Sequence, residues 1–499
     1  MERIFKKTLD QIVPTHRELE YIDSVIQKLS RAISQSNVPE EIKINFIEPQ
    51  GSTGIKQTSI RDAADIDLFI GLVPELVFSR KLPSKTKTRK FIKTKFKEYI
   101  KDWLIPSLEN IGVSKIKISY AEHPYISAKY DSLELDVVLC FDLTEKYLIT
   151  NGPITAVDRS PHHSRFIQKN LNVDQKNDVR LLKYFFKCQH SYGDKAAVGR
   201  NGFMGYLAEL FIVYFNTIED VLIHFLDLED TFIHFFDKLP YHEQKAKKKY
   251  ERLTFTEIQS KFFPNDALIV IDPTDYNRNV ASSISARTYA YMKSVVKDFL
   301  ENPKESYFIR KPIKPLTQRR VSPEELKHFF YLEYELLEEE HYTKIRDKLY
   351  SAMQTTTDLA ERENTGEERF QGVRAELYYE IEAKHYILAF YTETPQISEM
   401  YVRKGPKANS NHHGKRFLEK NPAAFEKDGY YCVNAPRSHT NFIGFLKERT
   451  EKKKIRDLKI KNIGEASDES ISIWANRAMG NLYEIIKRVP EESAPDRFQ

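Results

Sequence analysis

The segment GSTGIKQTSIRDAADIDLFI, running from Gly51 to Ile70, decides how the rest of the chain is read. Just before it, Ile42-Lys43-Ile44-Asn45-Phe46-Ile47 alternates with period two, which predicts a half-buried strand. Gly51-Ser52 then turns the chain, and the residues that follow are able to open a helix. Backbone N–H groups at such a turn favour anions, because orphan donors and the helix dipole both attract phosphate oxygens. Asp65 and Asp67 come next, on the more continuously apolar run Asp65 to Leu72. Two residues apart on a strand, their carboxylates share one face. Leu133 to Phe141 repeats the arrangement with Glu134 and Asp136. If these strands are neighbours, about 4.8 Å apart, three carboxylates converge on a pair of divalent ions. Oxygen ligands with room for water suit Mg²⁺ better than zinc. Carboxylates in a sheet are costly unless a cation neutralises them.

Outward from this segment, composition sets the limits. The chain has 499 residues, with 77 Lys plus Arg against 72 Asp plus Glu and a formal charge of +5. At ~100–200 residues per domain this predicts roughly three domains, which we place at 1–155, 156–300 and 301–499. A hydrophobic content of 41% with 12% aromatics builds real cores and excludes a wholly disordered chain. Cys140, Cys188 and Cys432 lie far apart without a CxxC pair, which fits a reduced, cytoplasmic protein and gives no thiolate zinc site. The N-terminal residues contain no apolar core of a secretory signal, and no run approaches about 18 uninterrupted apolar residues. No membrane association is expected.

The pattern predicts an α+β fold. From 1 to about 150, β-branched and aromatic runs alternate with helical patterns, among them a basic helix candidate at about 84–105, where ten Lys/Arg between Arg80 and Lys101 face only Glu98. Val179–His190 and Gly205–Phe225 carry apolar residues at helical spacing, so the central part is predicted helical. Beyond 300, strand-like runs at 329–337, 373–381 and 386–391 flank a helix near 343–362. An acidic cluster from Glu333 to Glu340 and a last helix near 467–488 complete the pattern.

With these residues in view, the chain resembles the DNA-polymerase-β-type nucleotidyltransferases, and specifically the archaeal-type (class I) CCA-adding tRNA nucleotidyltransferases. The resemblance rests on the Gly51–Asp67 segment and on Ala121-Glu122-His123-Pro124-Tyr125, Leu133-Glu134-Leu135-Asp136 and Ala156-Val157-Asp158-Arg159-Ser160-Pro161-His162-His163. It continues through Val179-Arg180-Leu181-Leu182-Lys183, Gly202-Phe203-Met204-Gly205-Tyr206-Leu207 with Glu209, and Asp272-Pro273 with Arg278. It is dense over about 40–300 and returns in fragments at Arg403-Lys404-Gly405-Pro406 and Lys415-Arg416-Phe417-Leu418.

The resemblance implies a catalytic domain of polymerase-β type, a helical nucleotide-recognition domain and an RNA-binding C-terminal body and tail. It implies that Asp65, Asp67 and Asp136 are the catalytic residues and hold two Mg²⁺. It assigns Gly51, Ser52, Lys56, Ser160, His163, Lys183 and Tyr192 to the triphosphate, and Arg278, with Glu122 and His123 nearby, to the base. ATP and CTP are the expected substrates, and a tRNA 3′ end the expected acceptor. Basic runs at Arg80–Lys101, Lys245–Arg252, Arg403–Arg416 and Lys447–Lys461 are candidates for RNA contact. An alternative keeps the fold and metals but joins NTPs or dNTPs into a signalling oligonucleotide, with an effector protein as partner and a role in antiviral (antiphage) defence. A binding-only protein on an inactive domain has no use for three convergent carboxylates. A homodimer is compatible with either enzyme.

Overall fold

The computed structural model describes residues 1–61, 65–75, 84–238, 246–338, 340–381 and 384–490, and among these it excludes the side chains of Lys85 and Asn411. The chain divides into two compact units. The first comprises Met1–Tyr192, Phe203–Ser283 and Val296–Ile309; the second comprises Gly193–Gly202, Ile284–Val295 and Arg310–Gln499. Both combine helices with sheets, and the fold is α+β as the sequence pattern predicts.

The first unit is built on a five-stranded sheet in the order β1-β2-β5-β4-β3. Its strands are β1 (Ile44–Gln50), β2 (Asp65–Leu72), β3 (Ser114–Tyr120), β4 (Pro124–Tyr130) and β5 (Leu133–Phe141). β2 and β5 run parallel at the centre, and the other neighbours are antiparallel. Strand periodicity then sorts the side chains. Ile66, Leu68, Ile70 and Leu72 enter the main core with Leu135, Val137 and Leu139 of β5. Helices α1 (Glu2–Ile12), α2 (His16–Ser34) and α3 (Lys85–Tyr99) precede and interrupt the strands; α2 and α3 supply Leu29, Ile33, Ile92 and Phe96 to that core. The opposite face carries Phe69, Val138 and Cys140, with Asp67 and Asp136 toward its open end. One face is sealed by helices, and the other is left to present carboxylates.

Three helices complete the part of this unit that forms the site: α4 (Ser160–Asn170), α5 (Val173–Cys188) and α6 (Gly205–Phe215). α5 begins at a capping box between Asn172 and Gln175, which satisfies two orphan helix donors reciprocally. The predicted helix over Gly205–Phe225 is two helices, because Asn216 adopts φ +81° and breaks the i→i+4 ladder. A small sheet of β6 (Phe232–Ile233), β7 (Ile269–Asp272) and β8 (Asp275–Asn279) lies in the same unit.

In the second unit, β9 (Phe329–Leu336), β10 (Arg374–Glu380), β11 (His385–Tyr391) and β15 (Leu458–Glu465) form an antiparallel sheet in the order β10-β11-β9-β15. Phe330, Leu332 and Tyr334 face α7 (Tyr342–Glu361) and α8 (Phe442–Lys452), while Phe329 and Tyr331 face α9 (Ile473–Arg488). A further sheet contains β12 (Met400–Lys407), β13 (Phe425–Lys427) and β14 (Tyr430–Pro436).

Two sequence expectations change here. No helix opens after Gly51: residues 51–61 stay in turns and loop, with Ile55 N–H donating to Pro49 O and Thr58 N–H to Ser52 O, each six residues back rather than four. These local bonds consume the donors that a helical turn would need. The acidic cluster from Glu333 is likewise no single acidic surface. Glu333 is buried beside His385 Nδ1 at 3.2 Å, whereas Glu338 is exposed. Cys140, Cys188 and Cys432 are all buried and unbridged. Among the described residues no helix is long and apolar enough to cross a membrane.

Candidate nucleotidyltransfer site

The register of the sheet sets the centre of the site. Asp67 and Asp136 are direct partners across the parallel β2–β5 pair, and Asp65 pairs with Glu134 one step nearer the strand start. On either side the row is extended by Gln50 of β1, opposite Asp67, and Ser127 of β4, opposite Asp136. Ser127 Oγ donates to Asp136 Oδ1 at 2.7 Å. Gly51, at φ +67°, closes over this row: a Cβ there would stand 2.2 Å from Asp67 Oδ2. Only glycine lets the turn lie this close. Burial, then the charges of Asp65 and Asp136, push the Asp67 carboxyl up to about 7, against the pull of Lys56.

This row opens into a cleft of about 350 Å³. Gly51, Lys56, Asp67, Glu122, His123, Asp136, Ser160 and His163 line it, together with Gln50 and Tyr206. Asp65, Ser52, Lys183, Tyr192 and Arg278 stand outside that lining. Asp65 is exposed at the start of β2, while Ser52 is part-buried in the turn. Lys183 is buried against Glu209, Tyr192 is part-buried, and Arg278 is 40% exposed and paired with the buried Asp272.

Two buried carboxylates, Glu209 and Asp272, act as hubs for these contacts. Glu209 is 1% exposed on α6 and binds Lys56 Nζ at 2.8 Å, Lys183 Nζ at 2.7 Å and Thr58 Oγ1 at 2.7 Å. Lys183 also donates to Thr58 Oγ1 at 2.9 Å. Burial alone would raise the Glu209 pKa, but Lys183 and Lys56 outweigh it and hold the carboxyl down at about 2. Lys183 is drawn down to about 8 by burial, with Glu209 opposing. Tyr192 and Lys183 converge over Gly205, where an added Cβ would meet the phenol oxygen at 2.9 Å and Lys183 Cε at 3.3 Å. Burial, then Glu209 and Asp65, push the Tyr192 phenol upward, so it remains a neutral donor.

Asp272, at the end of β7, is the second hub. It accepts from Arg278 Nη1 at 2.7 Å, Thr274 N–H at 2.8 Å and Tyr206 OH at 3.4 Å, and its Oδ2 lies 2.9 Å from His163 Nε2. Its carboxyl is held far below the usual range: burial opposes this, but His163 and Arg278 outweigh it. His163 stacks on Tyr206 with centroids 4.2 Å apart, and Lys56 Nζ stands over the same ring at 5.3 Å. His123 is 3% exposed; its Nδ1 bonds to Pro124 O at 3.1 Å, and its Nε2 has no partner among the described residues. Paired with a carbonyl, Nδ1 is the donor, which makes Nε2 an acceptor. Glu122 accepts the N–H of Ala156.

Glu209, Asp272, Tyr206 and Ser127 were not singled out as site residues from sequence. Glu209 had a readable signal: a lone acid within the otherwise apolar helix Gly205–Phe215 needs a buried cationic partner. Asp272 ends the apolar run Ile269–Asp272 and gives the same hint. Ser127 gave none, because its meaning depends on strand register. Thr53 also stands out now, since its buried hydroxyl has no partner among the described residues.

The carboxylates suit a hard divalent cation by donor type and by uncompensated charge at Asp67. Among the described residues no three His, Cys, Asp or Glu groups already form a metal cage. The fit is therefore one of chemistry and register.

A mixed sheet thus carries carboxylates on its central parallel strands, with a glycine turn packed against them, which is the arrangement expected from the resemblance to polymerase-β-type nucleotidyltransferases. Residues 177–309 match the family described as tRNA nucleotidyltransferase, second domain, and residues 339–465 match CCA-adding enzyme, C-terminal domain. The chain is 30% identical to the CCA-adding enzyme of Pyrobaculum aerophilum over 62% of each chain. It is 32% identical to that of Thermoplasma volcanium over 62% of this chain and 60% of the relative. With the enzyme of Methanothermobacter thermautotrophicus the identity is 26% over 87% of this chain and 85% of the relative. The alignment thus spans about three-fifths of the first two relatives' length. The chain is thus similar to archaeal CCA-adding enzymes, in two family-matched regions and along much of its length. Among solved structures, a Cid1 RNA uridylyltransferase aligns at TM-score 0.41 and 12% identity over 62% of this chain and 98% of that one. The E. coli CdnC of a CdnC:HORMA complex aligns at TM-score 0.40 and 14% identity, over 62% and 94%.

Proposed function

We propose that this protein transfers nucleoside monophosphates from NTPs to a 3′-hydroxyl without a template, and that its reaction is CCA addition or repair at tRNA 3′ ends with CTP and ATP. The observation that carries the reading is the direct pairing of Asp67 and Asp136 on adjacent parallel strands, under a glycine turn and at the mouth of a cleft that Lys56 and His163 also line. Two Mg²⁺ held by Asp65, Asp67 and Asp136 would supply Lewis acidity at the attacking hydroxyl and the α-phosphate. The chain's own residues orient the reactants. Lys56, tethered by Glu209, meets the triphosphate from the floor of the cleft, with Ser160 and His163 on its α4 side. Gly51 and Ser52 supply the close backbone approach, while Lys183 and Tyr192 act from behind, by balancing Glu209 and shaping the wall at Gly205. Arg278, fixed by Asp272, presents a planar guanidinium for a base edge, a task it shares in this reading with Glu122 and His123 of the cleft lining.

The reading is tested by one panel: each labelled NTP and dNTP, with and without tRNA lacking its CCA. Addition of C and A that depends on the tRNA is expected, and Asp67→Asn abolishes it while leaving RNA binding intact. Product formed from nucleotides alone would replace this reading with oligonucleotide synthesis. The similarity to CCA-adding enzymes favours the tRNA reaction. Catalytic, nucleotide-recognition and RNA-binding functions assigned to 1–155, 156–300 and 301–499 form part of the same proposal, as does a cytoplasmic location.

A further inference from the structure

Helix α3 is assembled against its own electrostatic interest. Its buried side needs only Ile92, Phe96 and Tyr99, all at most 3% exposed. Its N-cap is sound, with Ser84 Oγ accepting the N–H of Lys87 at 3.3 Å. Yet its first turn holds no acidic residue, and Lys87, Arg89 and Lys90 crowd the end where the helix dipole favours negative charge. Lys95 finds Glu98 at 2.7 Å. Among the described residues Lys87, Lys90, Lys93 and Lys97 have no carboxylate in ion-pair contact, and all four are exposed. Like charges four residues apart on a helix destabilise it. Stability does not explain this surface.

Its placement does. Arg89, Lys93 and Lys97 recur every four residues, so they form one stripe with a rise of about 6 Å per step. That step is of the order of the distance between successive phosphates along a nucleic-acid strand. The stripe starts at the cleft. Arg89 Nε is 3.8 Å from Glu122 Oε1, and the edge-to-face pair of Phe96 with His123 has centroids 5.0 Å apart. Glu122 and His123 both line the cleft. Lys93, after burial, adds to the effects that keep the His123 ring neutral. Tyr120, 53% exposed at the end of β3, immediately precedes Ala121 of the cleft lining and offers a flat face for stacking. No large apolar side chain is exposed between the basic residues, so the stripe lacks the wedge a membrane-binding helix requires.

We propose that the Arg89–Lys93–Lys97 stripe of α3 is the phosphate track of the acceptor strand, leading its 3′ end past Tyr120 into the cleft. The inference rests on the nucleotidyltransfer reading for the identity of the strand, but its binding test is independent of turnover.

The test is equilibrium binding of CCA-lacking tRNA to the full chain across a salt series, for wild type and for Arg89→Gln/Lys93→Gln/Lys97→Gln. Neutralising three contacts lowers the slope of log K against log[salt] by about 2, at ~0.7 per phosphate on single strands. RNA affinity at low salt falls by roughly 10–100-fold on the same basis. The thermal midpoint is expected to hold or rise, because repulsion is relieved. Affinity for ATP without RNA is expected to stay within about twofold, since none of the three lines the cleft. Arg89→Lys/Lys93→Arg/Lys97→Arg restores both slope and affinity. An unchanged slope in a variant that still binds tRNA overturns the track. So does competition by polyglutamate as effective as that of RNA of equal charge, which would mark a patch for acidic peptides. A reduced slope in a protein that transfers no nucleotide to any primer would keep the track and refute the reaction; transfer with an unchanged slope would do the reverse.

Discussion

Asp67 makes the metal-free protein sensitive to pH in an unusual direction. Burial and the neighbouring Asp65 and Asp136 push its carboxyl up to about 7 from an ordinary 3.8. At 1.36 kcal/mol per pH unit, this represents about 4 kcal/mol of destabilisation once the group is ionised. The sign follows from proton binding. Between pH 4 and 7 the folded chain holds a proton on Asp67 that the unfolded chain has released, so stability falls as pH rises through that window and is lowest above it. At roughly 2 °C per kcal/mol for a large domain, the full effect is about 8 °C in the thermal midpoint. The assay is thermal unfolding from pH 5 to pH 8 in chelator, for wild type and Asp67→Asn, repeated with Mg²⁺ at saturating concentration. Above pH 7 the variant is expected to be more stable than wild type in chelator. Mg²⁺ is expected to raise the midpoint of wild type, most at high pH, and to affect the variant little. Parallel pH curves for the two proteins in chelator would refute the reasoning, because the cluster would then exert no charge repulsion at Asp67.

Glu209→Gln strands Lys56 and Lys183 in the buried network, and breaking a buried pair in this way costs about 3–5 kcal/mol, measurable as a lower denaturant midpoint. Wild-type Glu209, whose carboxyl is held down at about 2, contributes stability that is complete above pH 4.5 and lost as pH falls toward 2; an acid titration of Glu209→Gln should lack this step. Asp272→Asn frees Arg278 and His163 together, so KM for the nucleotide is expected to rise by about tenfold or more, equivalent to 1.4 kcal/mol, with a smaller change in kcat; an unaltered KM would separate the base and phosphate sites from this hub. Gly51→Ala forces a Cβ against Asp67 Oδ2 at positive φ, and transfer is expected to drop by about 100-fold or more, with a folding cost near 1–2 kcal/mol by circular dichroism melts.

The chain order of residues already carried much of this protein. Alternation and apolar runs located β2 and β5 at Asp65–Leu72 and Leu133–Phe141, because a strand's side-chain period is a local property. The two-residue spacing of Asp65 and Asp67 determined that they share a face, and the glycine at 51 marked a close approach before its partner was visible. Local sequence could not say that β2 and β5 lie side by side and parallel, which is what pairs Asp67 with Asp136 and brings Ser127 and Gln50 into the same row. Nor could it distinguish a lysine on a solvated helix face from Lys183 sealed against Glu209, since the partner lies 26 residues away on another helix. In sequence the loop after Gly51 looks able to open a helix, because turns and helix starts use the same residue types, and the structure turns it instead. Residue type and spacing determine which chemistry is available. Only tertiary packing decides which charges are desolvated and against whom, and desolvation is what sets Asp67, Glu209 and Lys183 apart from ordinary surface carboxylates and lysines.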